Sequence, residues 1–152
     1  MNHIYILRHA KAGEHTANDH DRPLTDIGHR QAHILGQWFR DHDIRFDAVL
    51  ASSSLRTVET VESLALPSGY TIVPRLYSAS AHTIESVIRE SGVESGTLLV
   101  VAHNPGVSDL ASSAGSPTSL STCGVVELAC RLPFTEFSAD QCDYINAFRP
   151  EV

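Results

Sequence analysis

The chain has 152 residues, the length of a single domain, since independent cores commonly hold roughly 100 to 200 residues. Hydrophobic residues make up 42% and charged residues 19%, a balance that suits a globule with a sizeable core and excludes disordered and fibrous classes. Eleven Lys and Arg stand against 18 Asp and Glu, a net charge of -7, so neither nucleic acid nor a membrane surface is an expected partner.

Residues 98–102 form the longest apolar run, far short of the roughly 20 residues that span a bilayer. His3 and Arg8 bracket an apolar stretch too short for a signal peptide, so the mature chain is expected to start at Met1 and to be cytoplasmic. Cys123, Cys130 and Cys142 are odd in number and lack CxxC spacing, which reads as reduced thiols.

In chain order, residues 3–7 are a first strand and residues 11–21 a polar loop. A helix follows from about 26 to 41, with Thr25 as N-cap and a buried stripe of Ile27, Ile34, Leu35, Trp38 and Phe39. Residues 47–51 are a second strand, and Val58, Val61, Leu64 and Ala65 pattern a second helix that stops before Pro67. Residues 70–73 make a short strand; Ile84, Val87 and Ile88 mark a helix ended by Gly92; residues 97–102 are the most strand-like run and should be central. Asn104 as N-cap and Pro105 at the first helical position open a short helix towards Ala114. Residues 124–129 and 143–148 complete the sheet. The alternation predicts one α/β domain over 1–152 with a largely parallel sheet.

Three places repeat one arrangement, in which a strand ends and a cationic or imidazole side chain follows: Arg8-His9, Ser52 to Arg56, and His103-Asn104-Pro105. Parallel strands of an open sheet deliver their C-terminal ends to the same edge, where ligands bind. Two guanidiniums and two imidazoles then meet beside helix N-termini, which is a phosphate pocket inside a chain of negative net charge. His9 is expected to attack phosphorus as a neutral ring. His103, Arg8 and Arg56 are expected to neutralise the transferring group, in a reaction that depends mainly on positioning and electrostatics and needs no metal or cofactor. Arg22 and Asn104 are further candidates for phosphate binding.

These residues resemble the histidine phosphatase (phosphoglycerate mutase-like) superfamily, and within it the short SixA-like phosphohistidine phosphatases. The resemblance covers nearly the whole chain. It rests on Leu7-Arg8-His9-Ala10, on Arg22-Pro23-Leu24-Thr25 before a helix with Gly28, on Ser52-x-x-x-Arg56-x-x-x-Thr60, and on Val101-Ala102-His103-Asn104-Pro105. It implies a three-layer α/β/α sandwich on a mostly parallel mixed sheet of about six strands, with His9 as the phosphorylated residue and Arg8, Arg56 and His103 as its phosphate-binding companions. Ser53 stands where the family often has proline and Ala10 where many members have glycine; neither change removes a charge from the pocket.

Residues 75–79 hold no carboxylate where larger members are expected to place a general acid. Expelling an alkoxide without a proton donor is hard, whereas imidazole leaves readily from a phosphoramidate. The expected substrate is therefore phosphohistidine on a protein, for example a phosphorelay domain, unless Glu14, Asp19, Asp21 or Glu85 supplies a proton to a small phosphomonoester. A phosphatase or mutase of such an ester is one alternative, and a non-catalytic phosphate-recognition module is another. His29 and His33 have zinc-like i, i+4 spacing but lack a third ligand, so they read as a solvated face and no metal is expected. The serines at 52–54 read as helix-capping residues, because no G-x-S-x-G elbow is present. GxGxxG and P-loop motifs are absent. No heptad or apolar stripe calls for an oligomer, so a monomer is expected.

Overall fold

The structure, a computed structural model, describes residues 1–14 and 18–152; His15 and the middle of the 11–21 loop lie outside the described residues. The elements are β1 (Asn2–Arg8), α1 (Asp26–Asp41), β2 (Ala48–Ala51), α2 (Leu55–Leu64), β3 (Thr71–Ile72), α3 (Ala81–Arg89), β4 (Thr97–Ala102), α4 (Gly106–Ser113), β5 (Val125–Cys130) and β6 (Cys142–Phe148). The strands form one six-stranded sheet in the order β3-β2-β4-β1-β5-β6. β3, β2, β4 and β1 pair in parallel, and β5 and β6 are added antiparallel.

Consecutive residues of a strand point to opposite faces, so each inner strand feeds two cores. Ile4, Ile6, Leu98 and Val100 pack under Ile84, Val87 and Ile88 of α3 and Val107 and Leu110 of α4. Tyr5, Leu7, Leu99 and Val101 pack under Leu35 and Phe39 of α1 and Val61 and Leu64 of α2. With helices on both faces, β4 is buried from Leu98 to Ala102, which explains its unbroken apolar sequence.

The buried face of α1 differs from the expected stripe. Ile27 and Ile34 are 38% and 37% exposed, and the helix turns Gly28, Gln31, Ala32, Leu35, Gly36 and Phe39 inward. The two glycines decide this: a Cβ at Gly28 would collide with the Lys11 carbonyl oxygen, and one at Gly36 with the Leu64 carbonyl oxygen. Backbone contact between α1 and its neighbours outweighs the apolar pattern. Helix propensity alone favours alanine over glycine by about 1 kcal/mol, but forcing a methyl into packed backbone costs about 1–3 kcal/mol or more. Gly36→Ala is therefore expected to lower the unfolding free energy by about 2 kcal/mol, read from the midpoint of denaturant unfolding; an increase would contradict the tight α1–α2 packing.

One further expectation changes. The Asn104–Pro105 peptide is cis and Pro105, not Asn104, is the N-cap of α4. Cys123, Cys130 and Cys142 are free and buried, but Cys130 and Cys142 face each other across β5 and β6 with their sulfurs 2.7 Å apart. Among the described residues, no helix is long and apolar enough to cross a membrane.

Candidate active site

β1, β2 and β4 end at one edge of the sheet, because Arg8 lies level with Ala102 and Ala51 level with Val101. The ladder continues one step beyond the strands: the His9 amide donates to the Ala102 carbonyl (3.2 Å) and the Ser52 amide to the Val101 carbonyl (3.1 Å). His9, Ser52 and His103 thus leave the sheet side by side. Parallel pairing brings together side chains almost a hundred positions apart in sequence.

The His9 and His103 rings are 5.3 Å apart, centre to centre. His9 Nδ1 is 2.7 Å from the Ala10 carbonyl oxygen, which only accepts; Nδ1 therefore holds the ring proton and Nε2 the lone pair. The Ala10 amide is fixed by Thr60 Oγ1 (3.0 Å), which itself donates to the Arg56 carbonyl (2.7 Å), so the α2 backbone sets the position of the His9 loop. Burial pushes His9 down to about 4, with the Arg56, Arg8 and Arg22 guanidiniums adding to the effect.

Arg56 Nη2 approaches His103 Nδ1 at 3.4 Å, and because a guanidinium only donates, this nitrogen is the acceptor. His103 Nε2 then donates to Ser52 Oγ (2.7 Å). Burial, followed by His9 and Arg56, pushes His103 down to about 3. Both rings are neutral near pH 7.

Arg56 is buried in the first turn of α2, and Arg8 is half-buried at the end of β1 with Nη1 on the Leu120 carbonyl (3.3 Å). Among the described residues, the buried side-chain nitrogens and oxygens without a hydrogen-bond partner are Arg8 Nε and Arg56 Nε. Leaving a charged donor buried and unpaired is costly, so each guanidinium keeps hydrogen-bonding capacity that the described residues do not use. Arg22 reaches the same rim, with Nε on the Gly13 carbonyl (2.6 Å) and Nη1 on Asp19 Oδ1 (2.9 Å).

Other expected participants lie elsewhere. Asn104 spends Nδ2 on the Leu120 carbonyl (2.8 Å) and Oδ1 on the Ser108 hydroxyl (2.5 Å), so its side chain holds the loop around Leu120. Glu85 accepts from the Ala139 amide (2.9 Å), tying α3 to the turn before β6, and Glu14 and Asp21 are exposed. The serines after β2 do not cap α2 with their side chains: Ser52 holds His103, Ser53 Oγ meets His20 Nε2 (2.9 Å), and Ser54 Oγ meets Thr57 Oγ1 (2.8 Å). His29, on the polar side of α1, meets Ser63 Oγ (2.9 Å).

Three more side chains join the rim, of which the sequence singled out Asp19 alone, as one of four carboxylates that could supply a proton. The Asp19 carbonyl accepts from Arg56 Nη1 (2.8 Å), while its carboxylate takes Arg56 Nη2 (3.1 Å) and the Tyr77 hydroxyl (2.5 Å). Tyr77 lies edge-on to both His103 and His20, at 5.6 and 4.8 Å. Only the folded loop reveals this convergence, since Asp19, His20 and Tyr77 belong to segments with no periodic pattern.

The sequence profile of the histidine phosphatase superfamily (branch 1) matches residues 4–78. An uncharacterised protein of Mycobacterium tuberculosis is 38% identical over 106 residues, which cover 69% of this chain and 67% of that one. The phosphohistidine phosphatase SixA of Escherichia coli is 29% identical over 108 residues, covering 67% of each chain. The solved structure of a protein histidine phosphatase SixA complexed with tungstate superposes with a TM-score of 0.82 at 22% identity, over 97% of both chains. The six-stranded α/β fold is that of these phosphatases.

Proposed function

The chain belongs to the histidine phosphatase superfamily, and we propose that it removes the phosphoryl group from histidine on a protein by way of a covalent phosphohistidine at His9. The observation that carries this reading is the pair of orphaned guanidinium nitrogens, Arg8 Nε and Arg56 Nε, beside a neutral His9 whose Nε2 holds a free electron pair. A tetrahedral phosphoryl group satisfies both donors and presents phosphorus to that lone pair. Tungstate, the ligand of the structurally related SixA, is likewise a tetrahedral oxyanion.

His9 Nε2 attacks phosphorus in line, and the substrate imidazole leaves on the opposite, solvent side. Arg8 and Arg56 hold the equatorial oxygens. A dianion next to His103 raises its proton affinity, so Nδ1 takes up a proton as the phosphoryl group enters, gives up its contact with Arg56 Nη2 and donates to the phosphoryl group, while Nε2 stays on Ser52. Water hydrolyses the phosphorylated His9 and releases phosphate. Moving a phosphoryl group from one imidazole to another exchanges like bonds, so the first step needs no strong acid and no metal.

The state of the nearby acids supports phosphohistidine over an ester. Tyr77 occupies the segment that lacks a carboxylate, Glu85 is engaged with Ala139, and Asp19 is held well below the usual carboxylate range by Tyr77, Arg22 and Arg56. An ionised carboxylate has no proton to give. With EDTA present, the chain is expected to turn over a histidine-phosphorylated protein in preference to sugar phosphates and p-nitrophenyl phosphate. A strong preference for the esters would defeat this reading, and loss of all activity in EDTA would defeat metal independence.

The pH profile follows from His9. Its pKa lies at about 4 instead of 6.5, so the attacking ring stays neutral well into the acid range. The acid limb of kcat/KM, which reports the free enzyme, is expected near pH 4 rather than near 6.5. A limb centred at 6.5 or above would contradict the buried, guanidinium-flanked environment of His9.

A further inference from the structure

Asp19 places a carboxylate at the mouth of a pocket built for anions. Its side chain is 51% exposed, on the solvent side of the buried Arg56, and accepts from Arg56 Nη2, Arg22 Nη1 and the Tyr77 hydroxyl. Fixed negative charge there repels an incoming phosphoryl dianion, and it also takes up part of the charge of two arginines. A feature that weakens anion binding must be offset by another step of the reaction. A carboxylate accepts about four hydrogen bonds; Asp19 takes three from these partners, and Oδ1, with Arg22 alone, keeps room for another.

We infer that Asp19 is the acceptor for the leaving imidazole, the residue that makes this site select phosphoramidates of histidine over phosphate esters. The inference rests on the proposed attack by His9. In-line attack from the buried ring expels the leaving group towards solvent, which is the side where Asp19 stands. A proton from water first adds to the free nitrogen of the phosphorylated substrate ring, and the resulting N–H donates to Asp19. The His9 Nε2 lone pair then forms the new P–N bond. The old P–N bond breaks with its electron pair returning to the substrate ring, which departs neutral and keeps the added proton.

The carboxylate favours the cationic, protonated ring, the form that leaves well. It disfavours a phenolate or alkoxide, which departs with negative charge. Asp19 cannot act as an acid instead, because Tyr77, Arg22 and Arg56 hold it ionised. The same charge repels substrates that carry their own carboxylate next to the phosphoryl group.

The test compares kcat/KM for a histidine-phosphorylated peptide with that for p-nitrophenyl phosphate, in wild type, Asp19→Asn and Asp19→Glu. In Asp19→Asn the rate on phosphohistidine is expected to fall about tenfold or more and the rate on the ester to rise. Asp19→Glu, which keeps the charge, is expected to hold the ratio closer to wild type. If both substrates slow by the same factor, Asp19 merely positions Arg56; if both speed up equally, it merely obstructs the pocket. Either result overturns the inference. The two failures are distinct: a wild-type chain that ignores phosphohistidine brings down the proposed function and this role with it, whereas a wild type that prefers phosphohistidine and an unchanged ratio in Asp19→Asn removes only the role of Asp19.

Discussion

Replacing His9 by alanine is expected to abolish turnover, with kcat/KM reduced by about four orders of magnitude or more. The reason is chemical: a methyl side chain has no electron pair to offer phosphorus, and a water in place of the ring is a far weaker nucleophile without the alignment that the Ala10 carbonyl and Thr60 impose on His9. The fold should survive. His9 is 8% exposed, but its loop is held by backbone bonds from the His9 amide to Ala102 and from the Cys123 amide to the His9 carbonyl (3.0 Å), which the substitution leaves intact. Steady-state assays alongside unfolding curves would check both points. Retention of more than a few per cent of activity in a folded His9→Ala protein would show that another group attacks phosphorus.

Arg56→Ala is expected to cost about a thousandfold in kcat/KM. Three losses coincide. The transferring group loses a buried fork of donors, His103 Nδ1 loses its partner, and the Asp19 carboxylate is left at the pocket mouth with only Arg22 to balance it. Lysine cannot restore the site, because a point charge does not span Asp19 and a phosphoryl oxygen as a planar guanidinium does; Arg56→Lys is expected to recover no more than about tenfold. A second readout carries a sign. Arg56 is one of the charges that hold His9 below its ordinary range, so the acid limb should move to higher pH in Arg56→Ala. A limb that stays in place would mean that Arg56 does not face His9.

Much of the fold was legible because its signals are local. The run at 97–102 is the most apolar in the chain, since β4 is covered on both faces, and its ends agree with the sequence reading. Thr25 caps α1 as expected, its Oγ1 accepting from the Gly28 amide at 3.1 Å. Arg8, His9, Arg56 and His103 were legible as a group because strand ends of a parallel sheet share an edge, a rule of topology that needs no knowledge of the loops.

What the sequence hid was decided by tertiary contact. The inward face of α1 follows Gly28 and Gly36, whose value is the absence of a side chain against a neighbouring carbonyl, and hydrophobic periodicity gives glycine no weight. Asn104 looked like a cap and a phosphate ligand, yet the loop that returns at Leu120 claims its amide. Asp19 and Tyr77 are 58 positions apart and lie in turns without period, so nothing in their local sequence announces that a phenol and a carboxylate meet over Arg56.

Rapid acid-free quenching during turnover of a histidine-phosphorylated substrate, followed by mapping of the phosphoryl group, puts the covalent step itself on trial. The expected result is a phosphoryl group on His9 that survives alkali and is lost in acid, formed within a single turnover and absent from His9→Ala. Finding phosphate released at full rate with His9 never phosphorylated, or finding the label on another residue, would contradict nucleophilic attack by His9.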